Sequence, residues 1–355
     1  MQIQQVIVTG QNQVELQDVE FNESLGPDEF LVDTKCTFIS AGTELANYTG
    51  KEPLVFQPGS WCAYPWRSGY ANVGIVTAVG QDVTRVQVGQ RVFTCGSHAS
   101  VIKGSQRGMA ITVPDGMDPA VAVASRMAGV ATTAVAVADI GLHPWVVVFG
   151  QGMVGNLAAQ AFRILGGRVI GVDPMPERRA LAERCGIPIT VGGTAEEVRQ
   201  TVADATGGAM ADIVVEATGI SPVVLQALGV TANLGQCILL GSPRAPFDGS
   251  LTAVFSDIHL RNITMRGALE WVLPEYPPVG TYGGKTLPLL SNYDKQAMIF
   301  DWVQRGEMQV APLISHRLPA RQVKEGYDGL LHHPETYSGV VLEWNKSDAR
   351  SRQGA

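Results

Sequence analysis

The 355-residue chain is 45% apolar and carries 33 acidic against 26 basic residues, a formal net charge of -7. That is enough apolar surface for two domain cores, and no cluster of Lys and Arg is present to track a phosphate backbone, so nucleic acid is not an expected partner. Residues 1–17 mix Gln, Asn and Glu with Val and Ile and lack the basic start and apolar core of a signal peptide. No apolar run is expected to reach the length of a membrane span, and the chain reads as cytoplasmic.

In chain order, short strands are expected at residues 2–8, 13–16, 30–37, 72–79 and 90–94, which makes a mostly β first domain. Near Asp115 the pattern changes. Asp118 is placed to cap an Ala/Val-rich helix from Pro119, and a second apolar helix follows through residues 130–140. Strands then alternate with helices at 146–149, 168–172, 187–191, 212–216, 236–240 and 262–266, which implies right-handed crossovers and a parallel, doubly wound sheet. After Ala268 come a Pro/Gly/Tyr-rich stretch at 274–288, an amphipathic helix around 294–305 and a last strand at 339–344. That strand is expected to return to the first domain, and residues 346–355 are expected to fray. Five cysteines, Cys36, Cys62, Cys95, Cys185 and Cys237, lack metal-type or redox-type spacing and suit free buried thiols in a reducing compartment.

The strand at 146–149 runs into Gly150, Gln151, Gly152, Met153, Val154 and Gly155 and then into a helix. In G-x-G-x-x-G the first glycine permits a tight turn, the second lets a pyrophosphate approach the backbone, and the third lets helix and strand pack closely; the helix N-terminus receives the negative charge. Asp173 follows eighteen residues beyond Gly155, at the end of the next strand. A carboxylate there accepts from the adenosine ribose hydroxyls and repels the extra phosphate of NADP, which favours NAD. Arg178 either flanks the adenosine, offsets that charge toward NADP, or is a solvated helix residue beside Glu177 and Arg179.

Taken together, Ser40-Ala41-Gly42-Thr43-Glu44, Gly69-Tyr70-Ala71-Asn72-Val73-Gly74, Val88-Gly89-Gln90-Arg91-Val92, the nucleotide turn and Glu216-Ala217-Thr218-Gly219 resemble the medium-chain dehydrogenase/reductase superfamily, from the first strand to Trp344. Within it the chain is similar to the branch holding bacteriochlorophyllide dehydrogenases and some sugar or cyclitol dehydrogenases. The resemblance implies an α/β fold with a GroES-like domain at 1–126, a Rossmann domain at 127–269 and a segment at 270–355 that completes the first domain. It also adds Ala217, Thr218, Gly219, Leu240, Gly241, Ser242, Ala268 and Leu269 to the cofactor residues.

Zinc members carry C-G-T-D, G-H-E and a later Cys or Glu. Here the resemblance aligns Ala41, Tyr70 and Ser125 with the three ligands, none of them a thiolate, imidazole or carboxylate, so no metal is expected. A structural zinc is not expected either, since only Cys95 lies in the region of the four-cysteine lobe. The substrate oxygen then falls to hydrogen bonds. Tyr70 is either an acidified phenol, a hydrogen-bonding phenol or an aromatic wall, with Thr43 and Ser125 in support. Glu44, which follows the family's Asp, is an anchor for an Arg, as the resemblance implies, or a base, and with His98 it is counted among the substrate-binding residues. Glu270 contacts a polyhydroxylated substrate, takes a proton, or is a salt-bridged hinge carboxylate. His98 is a loop base or a solvated residue. Trp66 and Arg67, in an aromatic segment at 61–67, suit stacking on a sugar ring or a subunit contact.

The function that the resemblance implies, together with these residues, is zinc-independent, NAD-linked interconversion of a secondary alcohol and a ketone on a sugar, cyclitol or similar polyhydroxylated molecule, by a homodimer or homotetramer. A zinc-free quinone or enoyl reductase, or an NAD-binding protein without turnover, uses the same architecture.

Overall fold

The computed structural model describes residues 1–276, 281–282, 285–286 and 290–344. Most of the 274–288 stretch, and all of 346–355, lie outside them. The chain divides into two compact units. Met1–Arg126, Pro274–Gln304 and the described residues from Ile314 onward form the first; Met127–Leu273 and Arg305–Leu313 form the second.

The first unit opens with β1 (Gln2–Gly10), β2 (Gln13–Glu20), β3 (Glu29–Ile39), α1 (Thr43–Tyr48) and β4 (Trp66–Arg67). There follow β5 (Asn72–Val79), β6 (Arg91–Thr94), β7 (Val101–Ser105), β8 (Ala110–Thr112) and α2 (Pro119–Ala124). β1 lies between β2 and β4 in a small antiparallel sheet. The larger sheet is antiparallel through β3, β5, β6 and β8, with β7 on β3. The late strand Val340–Glu343 joins it by pairing with Cys36 to Ile39, as the tail pattern predicts, and His316–Pro319 extends it in parallel. Strands β4, β7 and β8 escaped the sequence reading because they are short and carry no clean alternation.

In the second unit α3 (Arg126–Val137) leads to six strands: β9 (Trp145–Phe149), β10 (Arg168–Val172), β11 (Ile189–Val191), β12 (Ala211–Glu216), β13 (Thr231–Leu239) and β14 (Thr264–Gly267). Between them run α4 (Met153–Ile164), α5 (Pro176–Arg184), α6 (Ala195–Thr206), α7 (Ser221–Val230) and α8 (Leu251–Arg261). All neighbours pair in parallel in the order β11-β10-β9-β12-β13-β14. This is the doubly wound Rossmann order, with its switch point between β9 and β12. Val146, Val147 and Val148 of β9 are fully buried, as the central strand of a sheet covered on both faces requires.

Three expectations are corrected. The tail does not return whole to the first unit. Arg305–Leu313 belongs to the second, where the Gln160 side chain donates to the Gln309 carbonyl at 3.1 Å and accepts from its amide at 2.6 Å, and Arg163 donates to the Glu307 carbonyl at 3.0 Å. Second, Pro119–Val137, at 19 residues, is long and apolar enough to cross a membrane; 78% of its most apolar window is nevertheless buried within the protein, as for a core helix, and it breaks at Ser125. Third, four of the five free cysteines are buried but Cys95 is exposed. Burial pushes the Cys36 thiol up to about 12, as it does, with the nearby Glu216 charge, the Cys237 thiol.

Asp118 caps α2 as expected, accepting from the Ala120 amide at 2.9 Å, with Pro119 in the first turn, and it also pairs with Arg317. Desolvation pushes its carboxyl up, but the Arg317 and Ala120 bonds outweigh it and hold the pKa below the usual carboxylate value. A depressed folded pKa contributes stability at neutral pH that is lost as pH falls through it. Asp118→Ala should therefore cost about 1 kcal/mol at neutral pH. The difference from the parent should shrink in denaturant titrations once the pH drops below about 4, where the unfolded carboxyl takes up its proton.

Candidate functional site

The loop after β9 gathers most of the sequence-predicted cofactor residues. Gly150 has φ +87°, and a Cβ there would lie 2.9 Å from Thr218. At Gly155 a Cβ would come within 1.8 Å of the Gly150 carbonyl oxygen, so helix and strand approach as closely as backbone allows. Gly152, the N-cap of α4, differs: a Cβ there meets only the Arg178 guanidinium, at 3.9 Å. The fold has room for a side chain at this position, and a glycine is explained by a group that approaches from outside. An anion at the α4 N-terminus is such a group, so the turn fits the pyrophosphate of a dinucleotide.

Asp173 is 2% exposed and held from two sides: the Gln151 amide donates to Oδ2 at 2.8 Å and the Met175 amide to Oδ1 at 2.9 Å. Each oxygen keeps a lone pair for a ribose hydroxyl. Arg178 stands 3.7 Å from the same carboxylate, with its side chain 29% exposed, so it faces the turn rather than standing as a solvated helix charge. The Gln151 side chain turns the other way, bonding the Val148 carbonyl at 2.8 Å, which leaves only its backbone to the site. Met153 is buried at 7% exposure, and Val154 is half-buried.

Glu216, 1% exposed at the end of β12, organises the next loops. Its carboxylate accepts from the Thr218 amide at 2.7 Å, from the Thr218 hydroxyl, and from the Gly219 amide at 3.1 Å; its carbonyl accepts from the Leu240 and Gly241 amides at 2.9 and 2.8 Å. Ala217 donates its amide to the Phe149 carbonyl at 2.9 Å. A Cβ at Gly241 would meet the Gly219 nitrogen at 2.1 Å, and one at Gly219 would meet the Ser242 carbonyl oxygen at 2.6 Å, so Ala217 to Gly219 and Leu240 to Ser242 form one packed layer. Ala268 is 3% exposed with its methyl in the core, whereas Leu269 is 59% exposed. Glu270 is half-buried and begins a single 3-10 turn, Glu270–Val272.

In the first unit the Tyr70 phenol donates to the Ser40 hydroxyl at 2.5 Å and hydrogen-bonds the Thr43 hydroxyl, with the Arg126 guanidinium 5.1 Å above its ring. Burial raises the Tyr70 pKa; Arg126, Ser40 and Thr43 oppose that without reversing it, and the Glu44 charge adds to it. The acidified-phenol alternative is thereby corrected: Tyr70 is a neutral hydrogen-bonding group.

Other expectations fail for reasons of packing. Ser125 is fully buried, its hydroxyl donating to the Ala122 carbonyl at 2.7 Å and accepting from Gln296 at 2.8 Å, so it is engaged within its own unit. Trp66, 8% exposed, packs in the core opposite Val8 with Trp61 edge-on, and offers no face to a sugar; Arg67 is exposed. Glu44 and His98 are each 0% exposed and bond each other at 2.9 Å. His98 is therefore not a solvated loop residue, and Glu44 anchors a His and a Tyr rather than an Arg, with the Tyr327 phenol donating to it at 2.6 Å. Neither side chain reaches solvent to meet a substrate.

Sequence reading missed Ser40, Arg126, Glu216 and Tyr327 as site residues. Arg126 had a signal, as the one charge in the apolar stretch 119–137. Tyr327 had none, since it lies 283 residues from Glu44.

Two family models match the chain, "Alcohol dehydrogenase GroES-like domain" over residues 26–146 and "Zinc-binding dehydrogenase" over 154–279. An L-threonine 3-dehydrogenase of Bacillus velezensis is 24% identical over 80% of this chain and 86% of its own. An L-galactonate-5-dehydrogenase of Escherichia coli is 23% identical over 89% and 92%. Among solved structures, an Escherichia coli short chain alcohol dehydrogenase complexed with NADH superposes with a TM-score of 0.78 at 16% identity, covering 96% of this chain and 99% of that one. The chain belongs to the medium-chain dehydrogenase/reductase superfamily, with a GroES-like β unit and a Rossmann unit, and it is of the oxidoreductase class.

Zinc, which that family implies, does not fit the residues here. Ala41 has no donor atom, the Tyr70 phenol is bonded to Ser40, and both hydrogen-bonding roles of the Ser125 hydroxyl are taken.

The glycine geometry separates binding from folding. Gly152→Ala should leave the melting temperature nearly unchanged while weakening dinucleotide affinity, because only an incoming ligand meets the new methyl. Gly155→Ala should destabilise the protein strongly, because the methyl strikes the Gly150 carbonyl. Thermal melts with calorimetric titration of NADH decide both.

Proposed function

We propose that this chain is a zinc-independent, NAD-dependent, cytoplasmic oxidoreductase that interconverts a secondary alcohol and a ketone on a sugar, cyclitol or similar polyhydroxylated molecule. The observation that carries this reading is the hydroxyl cluster of Tyr70, Ser40 and Thr43 beneath Arg126, in which Tyr70 is the residue that the resemblance aligns with a zinc ligand. The resemblance to sugar and cyclitol dehydrogenases and the L-galactonate relative support the substrate class.

Alcohol oxidation separates a hydride from a proton, and NAD, when bound, supplies the hydride acceptor. This chain's residues manage the rest. The β9–α4 turn and Asp173 hold the dinucleotide. The Tyr70 oxygen accepts the substrate hydroxyl while its own proton points at Ser40; as the alcohol proton moves onto Tyr70, the phenol proton moves to Ser40 Oγ and the Ser40 proton is released to water, so that neither a phenolate nor an oxonium is left behind. In reduction the same phenol donates to the carbonyl oxygen.

A homodimer or homotetramer is part of the reading. β14 ends the Rossmann sheet, no residue of α8 is buried, and Leu251, Phe255, Leu260, Leu269, Trp271 and Val272 are exposed on the same unit. Apolar surface of that kind marks a protein contact.

NADH formation over a panel of L-threonine, L-galactonate, galactitol, inositol and ethanol tests the activity. Polyhydroxylated compounds should be turned over and ethanol poorly, since ethanol leaves the polar groups unpaired. NAD should bind more tightly than NADP, and Asp173→Ser should narrow the gap; a parent protein that prefers NADP overturns the cofactor assignment.

Tyr70→Phe should lower turnover by about 10²–10⁴-fold with NAD affinity unchanged. Exhaustive chelation should leave the parent rate intact. Stoichiometric zinc in purified protein, or activity that zinc restores after chelation, would sink the metal-free mechanism.

A further inference from the structure

The first unit contains a run of buried polar side chains that the proposed chemistry does not use. Glu44 Oε1 accepts from the Ser40 amide at 2.9 Å, and Oε2 takes both His98 Nε2 at 2.9 Å and the Tyr327 phenol at 2.6 Å. The Tyr327 pKa stands well above the usual phenol value, burial first and then Glu44 raising it. Glu44, His98, Tyr327 and Ser68 are all 0% exposed.

Two arms lead from this cluster to Tyr70. Glu44 fixes the Ser40 backbone, and Ser40 Oγ receives the Tyr70 proton. On the other side, the His98 amide donates to the Ser68 carbonyl at 2.9 Å. Gly69, at φ +98°, is pressed on His98 so closely that a Cβ would lie 2.4 Å from its nitrogen and 2.7 Å from its Cγ. The residue that follows is Tyr70. Both partners of the 2.5 Å hydroxyl contact are thus held through one buried pair, one by a hydrogen bond and the other by backbone contact.

We propose that Glu44 and His98 are a positioning pair that sets the Ser40–Tyr70 contact, Glu44 through the Ser40 amide and His98 through the Ser68–Gly69 backbone. Neither touches the substrate; they act through Tyr70. The inference rests on the reading of Tyr70 given above. Proton transfer depends steeply on such a contact, since a displacement of about 1 Å costs up to about a hundredfold in rate.

The test is a double-mutant cycle read beside a spectroscopic signal. On the best panel substrate, His98→Gln and Glu44→Gln should each lower kcat by about tenfold or more with NAD affinity unchanged. In a Tyr70→Phe background the same changes should alter kcat by less than about twofold, because residues acting through one group are not additive. Equal losses in both backgrounds mean a merely structural role and overturn the proposal, as does an unchanged kcat.

Protein labelled with 3-fluorotyrosine decides the geometry without turnover. The Tyr70 resonance, identified by its loss in Tyr70→Phe, should move in Ser40→Ala and likewise in His98→Gln; a resonance that stays in place in His98→Gln overturns the proposal. If no panel compound is oxidised, the proposed function falls and this signal still decides the positioning. Should His98→Gln fail to fold, Tyr327→Phe, which removes one donor from Glu44, takes its place with the same expected outcomes.

Discussion

A glutamate buried without exposure survives in a protein interior only if its lone pairs are met by donors, because desolvating a carboxylate costs several kcal/mol or more. Glu44 meets that condition with the Ser40 amide, His98 and Tyr327, drawn from the β3–α1 junction, the loop before β7 and the helix at Val323–His332. Three segments distant in sequence are therefore fixed relative to one charge. Ser40, Thr43 and Tyr70 take their places around it.

The second unit uses the same device. Glu216 ends β12 and draws the Thr218 and Gly219 amides onto its carboxylate, which bends the chain sharply at the edge of the nucleotide turn. In both units a buried acid stands beside a loop rather than in the reaction, and its work is to hold backbone N–H groups where water would otherwise compete. The loops at the switch point of the parallel sheet are then rigid without regular structure, as dinucleotide binding there requires.

Two physical causes, strand alternation and distant hydrogen-bond partners, account for the residues whose expected roles changed. Trp66 and Arg67 were grouped as a ligand-binding pair from composition, but they occupy a two-residue strand opposite Val8 and Ile7. Strand alternation sends one side chain inward and its neighbour outward, so Trp66 packs in the core and Arg67 faces solvent. Ser125 and His98 changed in the same sense: each found partners, Gln296 and Glu44, supplied by segments that sequence proximity does not reveal.

By itself the sequence determined the alternation of strands and helices that makes a parallel sheet, the glycine turn, the acidic residue after β10 and the Asp118 cap. These depend on local periodicity, backbone freedom and short-range hydrogen bonds, which neighbouring residues encode directly. It also set which donor atoms stand at the three positions that the resemblance aligns with zinc ligands, since residue type alone decides ligand chemistry. Tertiary structure decided which polar groups are already satisfied. Whether the Tyr70 phenol is acidified, whether the Ser125 hydroxyl is taken and whether His98 meets water depend on burial and on partners up to hundreds of residues away, because desolvation and hydrogen-bond geometry are properties of the packed chain.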